Sequence, residues 1–207
     1  MLSFDRNPPS PLSPSLASTE PAVHRAWSVA ALAGQVSELS GVGNTAGLTM
    51  AFGLVLDAQR QGEPVAWITL QDSTFFPVDA ADSGVDLDAL VVVRVPDTVA
   101  AARSADRLAR SGAFGLLVLD LGSDAALPLP ALARLVGLAQ KHHTAIVCIT
   151  QKAERAPSLG SLVALRGWTR RERIAADLFR CTLHVVKDKR RGPWSAEEVC
   201  RGPDGLR

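Results

Sequence analysis

The spacing of apolar and polar positions divides this chain into an ordered series of strands and helices. Val36-Ser37-Glu38-Leu39-Ser40 reads as a short strand that runs into the glycine-rich turn Gly41-Val42-Gly43-Asn44. Beyond it Leu48, Met50, Ala51, Leu54, Val55 and Ala58 recur at helical spacing, and Gln61-Gly62-Glu63-Pro64 ends the helix with a C′ glycine and a stop proline. Val65 to Leu70 and residues 89–95 read as strands, Ala100 to Ser111 as an Ala/Arg-rich helix, and Phe114 to Leu119 as a nearly all-apolar strand ending on Asp120. A helix over about 130–141 leads to the strand Thr144 to Thr150. Apolar strands alternating with helices predict an α/β fold whose mainly parallel sheet is covered on both faces, joined by right-handed crossovers.

The regularity weakens after Gln151. Residues 152–165, with Pro157 and Gly160, read as a loop, and Leu183-His184-Val185-Val186 resumes as a strand leading into the charged turn Lys187 to Trp194, the turn of a hairpin. At the other end, residues 1–22 contain Asn7-Pro8-Pro9-Ser10-Pro11 and Ser13-Pro14, which supply few core residues and too many prolines for helix or sheet. The expected organisation is a disordered tail over 1–22, one core over 23–195 and a short tail over 196–207.

Composition narrows the classes. The 207 residues suit one hydrophobic core, with 47% apolar residues. No apolar run approaches the roughly 20 residues of a membrane helix, and the N-terminus lacks a signal core, so a cytoplasmic location is expected. Cys148, Cys181 and Cys200 stand far apart, which argues against a zinc site or disulfide framework and reads as incidental thiols in a reducing compartment. The adjacent His142 and His143 at a helix end point apart, so no metal site is expected there. The net charge of +1 hides an asymmetry: residues 1–151 carry nine Lys/Arg against fourteen Asp/Glu, whereas 152–207 carry thirteen against seven. A basic end suggests a face for an acidic partner or nucleic acid.

A strand, a glycine-rich turn and a helix form the setting of a phosphate-binding loop, in which backbone N–H groups and a helix N-terminus wrap an anion. The working motif is G-x-x-x-x-G-K-[ST], its lysine reaching the β/γ-phosphates and its hydroxyl holding magnesium. This chain offers Gly41-Val42-Gly43-Asn44-Thr45-Ala46-Gly47-Leu48-Thr49. Without gaps, Gly47 takes the place of the lysine and Leu48 that of the hydroxyl residue. With one insertion Thr49 takes the hydroxyl's place, and Leu48 the lysine's. Both registers lack the cation, a loss of about 2–5 kcal/mol, or roughly thirty- to several-thousand-fold in affinity. No bound cofactor is expected.

From Glu38 to Gln151 the chain resembles the bacterial RecA recombinase core. Gln59-Arg60-Gln61-Gly62, Pro77 followed by Gly84-Val85-Asp86, Pro96-Asp97 and Leu108 to Ala113 follow that family in order and spacing. The resemblance implies a RecA-like P-loop NTPase core with a degenerate nucleotide site. Asp120 matches the Walker B aspartate and Gln151 the glutamine that senses the γ-phosphate, while Gln71 stands where the family carries its catalytic glutamate. A neutral amide is no base near pH 7, so no enzyme activity is expected.

Among RecA-derived proteins without ATPase residues, the chain resembles the ImuA family. The run Leu183 to Pro193 is similar to that family's basic V-x-K-x-R-R-G-P segment, after the Arg-rich stretch Arg166 to Arg173. The resemblance implies a non-catalytic member of a DNA-damage-induced translesion complex, contacting the polymerase-like ImuB and RecA itself. Besides a genuine but weak ATPase, two other readings stay open. One is a SulA-like inhibitor of the division protein FtsZ, although such proteins are typically shorter and lack so basic a C-terminal run. The other is a single-stranded-DNA module, in which Arg166, Arg170, Arg171, Arg173, Lys187, Lys189, Arg190 and Arg191 with Trp168 and Trp194 supply cations and stacking surfaces.

Overall fold

In the computed structural model, which describes residues 26–201 apart from Asn44, Asp72, Thr74 and Asp124, eight strands form one sheet in the order β3-β2-β4-β5-β1-β6-β7-β8. The expected tail over 1–22 lies outside the described residues. The strands are β1 (Val36–Ser40), β2 (Val65–Leu70), β3 (Leu90–Val95), β4 (Leu116–Asp120), β5 (Ala145–Thr150), β6 (Leu165–Arg173), β7 (Leu178–Asp188) and β8 (Trp194–Arg201). The helices are α1 (Val29–Leu32), α2 (Gly47–Arg60), α3 (Pro77–Asp82), α4 (Thr98–Ser111) and α5 (Leu129–His142). Every pairing from β3 across to β6 is parallel, and the β6/β7 and β7/β8 pairings are antiparallel.

The helix ends follow local chemistry. Asp97 caps α4 by accepting from the Ala100 N–H at 2.7 Å, so the helix starts at Thr98, two residues earlier than apolar spacing alone suggests. Gly112 closes it in the left-handed conformation at φ 69°. His143 takes the same conformation after α5, while the His142 ring lies against Gly112, so the two imidazoles serve two helix ends. Among the described residues no group of three or more His, Cys, Asp or Glu is placed to share a metal ion.

Two apolar layers sandwich the sheet. On one face α1 and α2 bury Leu54, Val55 and Met50 against Leu39, Trp67, Val118 and Val147, with an aromatic cluster of Phe52, Trp67 and Phe75 at centroid distances of 5.1–6.2 Å. On the other, α4 and α5 pack Ala101, Ala105, Leu132 and Leu135 on Ile68, Leu117, Leu119 and Ile146. At roughly 1.5–3 kcal/mol for each large side chain fully buried, these layers hold the parallel strands with their carboxyl ends aligned.

Two strands depart from the sequence expectation. Residues 165–173 form β6, paired with both β1 and β7. Residues 196–201, expected in a tail, belong to β8, where Ala196 is buried and Trp194 and Cys200 pack on the α2 layer. Among the described residues no helix is long and apolar enough to cross a membrane.

Candidate functional site

The turn between β1 and α2 is held by its own side chains. The Gly41 N–H donates to the Thr150 carbonyl at 3.2 Å, so the turn begins where β1 meets β5. Gly43 takes φ 65°, a left-handed conformation that suits glycine. Thr45 then folds its hydroxyl back over Gly41, where an added Cβ would overlap it and lie 2.9 Å from the Thr169 carbonyl. The Thr45 hydroxyl accepts from the Gly47 N–H at 3.1 Å and lies 2.6 Å from the Thr169 hydroxyl, which in turn donates to the Ser40 carbonyl at 3.3 Å. With the Thr169 proton spent on Ser40, Thr45 is the donor between the two hydroxyls. One directed chain therefore runs from the α2 amide through two threonines to the end of β1.

That chain occupies a donor which phosphate loops offer to an anion, since the first amides of a helix have no partner within it. The helix starts at Gly47, the lysine position of the ungapped register. Leu48, in the hydroxyl position, packs against the apolar layer instead. Thr49, the hydroxyl of the gapped register, lines a cavity with Trp27, Met50 and Gly53 between α2 and the β7–β8 hairpin.

At the end of β4 the Asp120 carboxylate is buried and supported by hydroxyls. Thr69, its register partner on β2, donates to it at 3.1 Å and is itself hydrogen-bonded to Ser73. Burial raises the Asp120 pKa above the ordinary carboxylate value, opposed by hydrogen bonds from Ser73, Thr69 and the Gly122 backbone. Gln71 and Gln151 are both exposed, their backbone N–H groups donating to the Val95 and Gly122 carbonyls at 3.0 Å. The carboxyl ends of β2, β4 and β5 thus bring Gln71, Asp120 and Gln151 to the same edge as the glycine-rich turn, the position at which open α/β sheets bind ligands.

With this geometry in view, comparison with known proteins is informative. The chain is 30% identical to Protein RecA of Fusobacterium nucleatum over 141 residues, 59% of this chain and 37% of that one. It is 32% identical to Protein RecA of Rhodospirillum rubrum over 138 residues, 57% and 37% of the two chains. Protein RecA of Ruminococcus albus is 28% identical over 141 residues, 59% and 35%. The core is RecA-like. The chain spans between a third and two-fifths of the length of these relatives. No family model matches it.

Outside the RecA-like turn, sequence reasoning missed a buried charge cluster. Glu38, in the middle of β1, is fully buried; it accepts from the Thr150 hydroxyl at 3.0 Å and the Leu159 N–H at 2.8 Å, and pairs with Lys152 at 3.4 Å. Arg166 Nε lies 3.9 Å away, and its guanidinium also donates to the carbonyls of Ala153 (2.8 Å) and Ala156. Arg166 is 5% exposed, so it fastens the 151–164 loop and does not face a partner, a correction to its place among the surface cations.

The remaining basic residues are dispersed. Arg170 pairs with Glu172 at 2.7 Å, Arg171 lies 4.8 Å over the Phe179 ring, and Arg173 donates to the Ala175 and Ala176 carbonyls of the β6–β7 turn. Lys187 reaches the Ser161 carbonyl at 3.4 Å. Trp194, expected as a stacking surface, is packed on the core with its indole donating to Asp188 at 3.2 Å. Trp168 stacks on His184 at 6.0 Å. Lys189, Arg190 and Arg191 form the β7–β8 turn. About ten residues of extended strand, on the order of 30 Å, separate this turn from Arg171 and Arg173, so the cations form two groups at opposite ends of β7.

Proposed function

We propose that this chain is a non-catalytic, RecA-like accessory protein of the bacterial DNA-damage response, of the ImuA type, acting by contact with ImuB and RecA in translesion synthesis. The observation that carries this reading is the hydroxyl chain in the turn: Thr45 satisfies the α2 amide that a phosphate would claim, and no lysine or arginine stands between Gly41 and Thr49. With Gln71 at the position that the RecA resemblance gives to the base, this reading has no carboxylate there to activate water. The RecA-like similarity supplies the shape through which such a protein would meet RecA, and the turn Lys189 to Arg191 is the freest cationic surface for an acidic partner.

Two measurements test the reading. Millimolar ATP with magnesium leaves the melting temperature unchanged, whereas ligand at a hundred times its Kd would add about 2.7 kcal/mol; a saturable rise would refute the non-catalytic assignment. Immobilised chain captures ImuB and RecA from purified components, and capture of FtsZ alone would replace this reading with the SulA-like one. Dispersal of the cations makes a single-stranded-DNA function the weaker alternative; tight, steeply salt-dependent binding without either protein partner would favour it.

A further inference from the structure

Cys181 and Cys200 are nineteen positions apart, yet the hairpin brings them together. On β7 and β8 Cys181 pairs with Glu198 and Phe179 with Cys200, so the two cysteines stand diagonally on one face of adjacent antiparallel strands. Their side chains are close enough to perturb one another's titration. Cys181 is buried beneath the α2 layer, and Cys200 lines the cavity of about 980 Å³ between α2 and the hairpin, with Gly53, Asp57 and Arg191 on its walls. Arg171, directly opposite Cys181 on β6, completes the group. Interaction with the Cys200 side chain and the Arg171 charge lower the Cys181 pKa against burial and the Glu198 charge, while the same pairing raises that of Cys200, so the two thiols titrate as a pair. Cys148, on the other face, is fully buried, and burial with the Glu38 charge pushes its thiol up to about 12.

We propose that Cys181 and Cys200 form a redox-active dithiol that takes a low-molecular-weight disulfide through the α2–hairpin cavity and closes to an intrachain cross-link. In the first exchange Cys200 passes its proton to the Cys181 thiolate and attacks the disulfide as a thiolate, forming a mixed disulfide and expelling one thiolate, which takes up a proton from solvent. In the second, Cys181 loses its proton and attacks Cys200 Sγ as a thiolate, forming the Cys181–Cys200 bond and expelling the second thiol, which carries that proton away. Two protein thiols are oxidised by two electrons, and one small disulfide is reduced to two thiols. Closure fastens β8 to β7 and alters the cavity wall.

The test exposes the folded full chain to oxidised glutathione and follows intact mass and non-reducing peptide maps. The expected product has lost two hydrogens, links the peptides carrying Cys181 and Cys200, and keeps Cys148 free. Cys181→Ser stops at one glutathione on Cys200, and Cys200→Ser takes up none in the folded state. Arg171→Gln closes more slowly at neutral pH, and the difference vanishes at alkaline pH, which a purely structural role for Arg171 would not produce. A stable glutathione adduct on wild-type Cys200, or no reaction under conditions that oxidise the urea-unfolded chain, would overturn the proposal.

Discussion

The hydroxyls of Thr45 and Thr169 lie 2.6 Å apart although 124 positions separate them, so the turn after the first strand is locked by a strand from the far end of the chain. Thr45→Val preserves shape while stranding the Gly47 amide and removing the proton that the Thr169 hydroxyl accepts, leaving Thr169 its bond to the Ser40 carbonyl. It is expected to cost about 1–2 kcal/mol in urea unfolding. Combined with Thr169→Val, the losses fall short of additivity by about 0.5 kcal/mol or more; strict additivity would show that the two hydroxyls do not act as a unit.

Asp120 titrates against the fold. Its folded pKa is raised, so its contribution to stability is fully present below the unfolded carboxylate value and is lost as pH rises through the folded one. Asp120→Asn therefore melts higher than wild type at pH 7, and the gap narrows as pH falls until both chains carry a neutral group. Thermal scans between pH 7 and 3.5 check this; a gap that widens on acidification would contradict it.

Arg166 and Arg190 belong to one basic stretch of sequence but to different environments. Arg166→Ala leaves Glu38 buried with Lys152 as its remaining ion-pair partner and should cost about 3–5 kcal/mol. Arg190→Ala, on an exposed turn, should stay within about 0.5 kcal/mol. Equal effects on stability would mean that the buried cluster is not a structural tie.

Phe52, on α2, packs against both Trp67 and Phe75, which also touch each other. Phe52→Ala should lose about 3–5 kcal/mol, and tryptophan fluorescence should shift to the red as the Trp67 environment opens. An unshifted spectrum would place Trp67 outside that contact.

How much of this was legible in the sequence depended on where each strand lies. Val65–Leu70, Leu116–Asp120 and Ala145–Thr150 are buried on both faces and therefore appear as apolar runs. The strands β6 and β8 have one wet face, and their inward positions hold Gly167, Thr169, Ala196 and Cys200, small or polar residues that carry no apolar signal. The arginines of β6 drew attention as charge when they were strand.

The site divides in the same way. Gly41, Gly43 and Asp120 were readable because local conformation or a strand end demands them. The Thr45–Thr169 contact, the Glu38–Arg166 tie and the Cys181–Cys200 pair join distant positions, and only the fold sets them side by side. Spacing that excluded a local cysteine motif said nothing about a diagonal across two strands.

The placement of β1 has a consequence for synthesis. Its hydrogen-bonded neighbours are β5 and β6, so a strand made near the start of the chain has no partner until residues beyond 145 have emerged. At about 5–20 residues per second, the nascent segment around Leu39 waits on the order of 5–20 s with its apolar side chains and the Glu38 carboxylate unpaired. The core therefore closes only once β5 and β6 have emerged, and a slowed ribosome between codons 40 and 165 would lengthen the interval in which this strand is open to aggregation or to a chaperone.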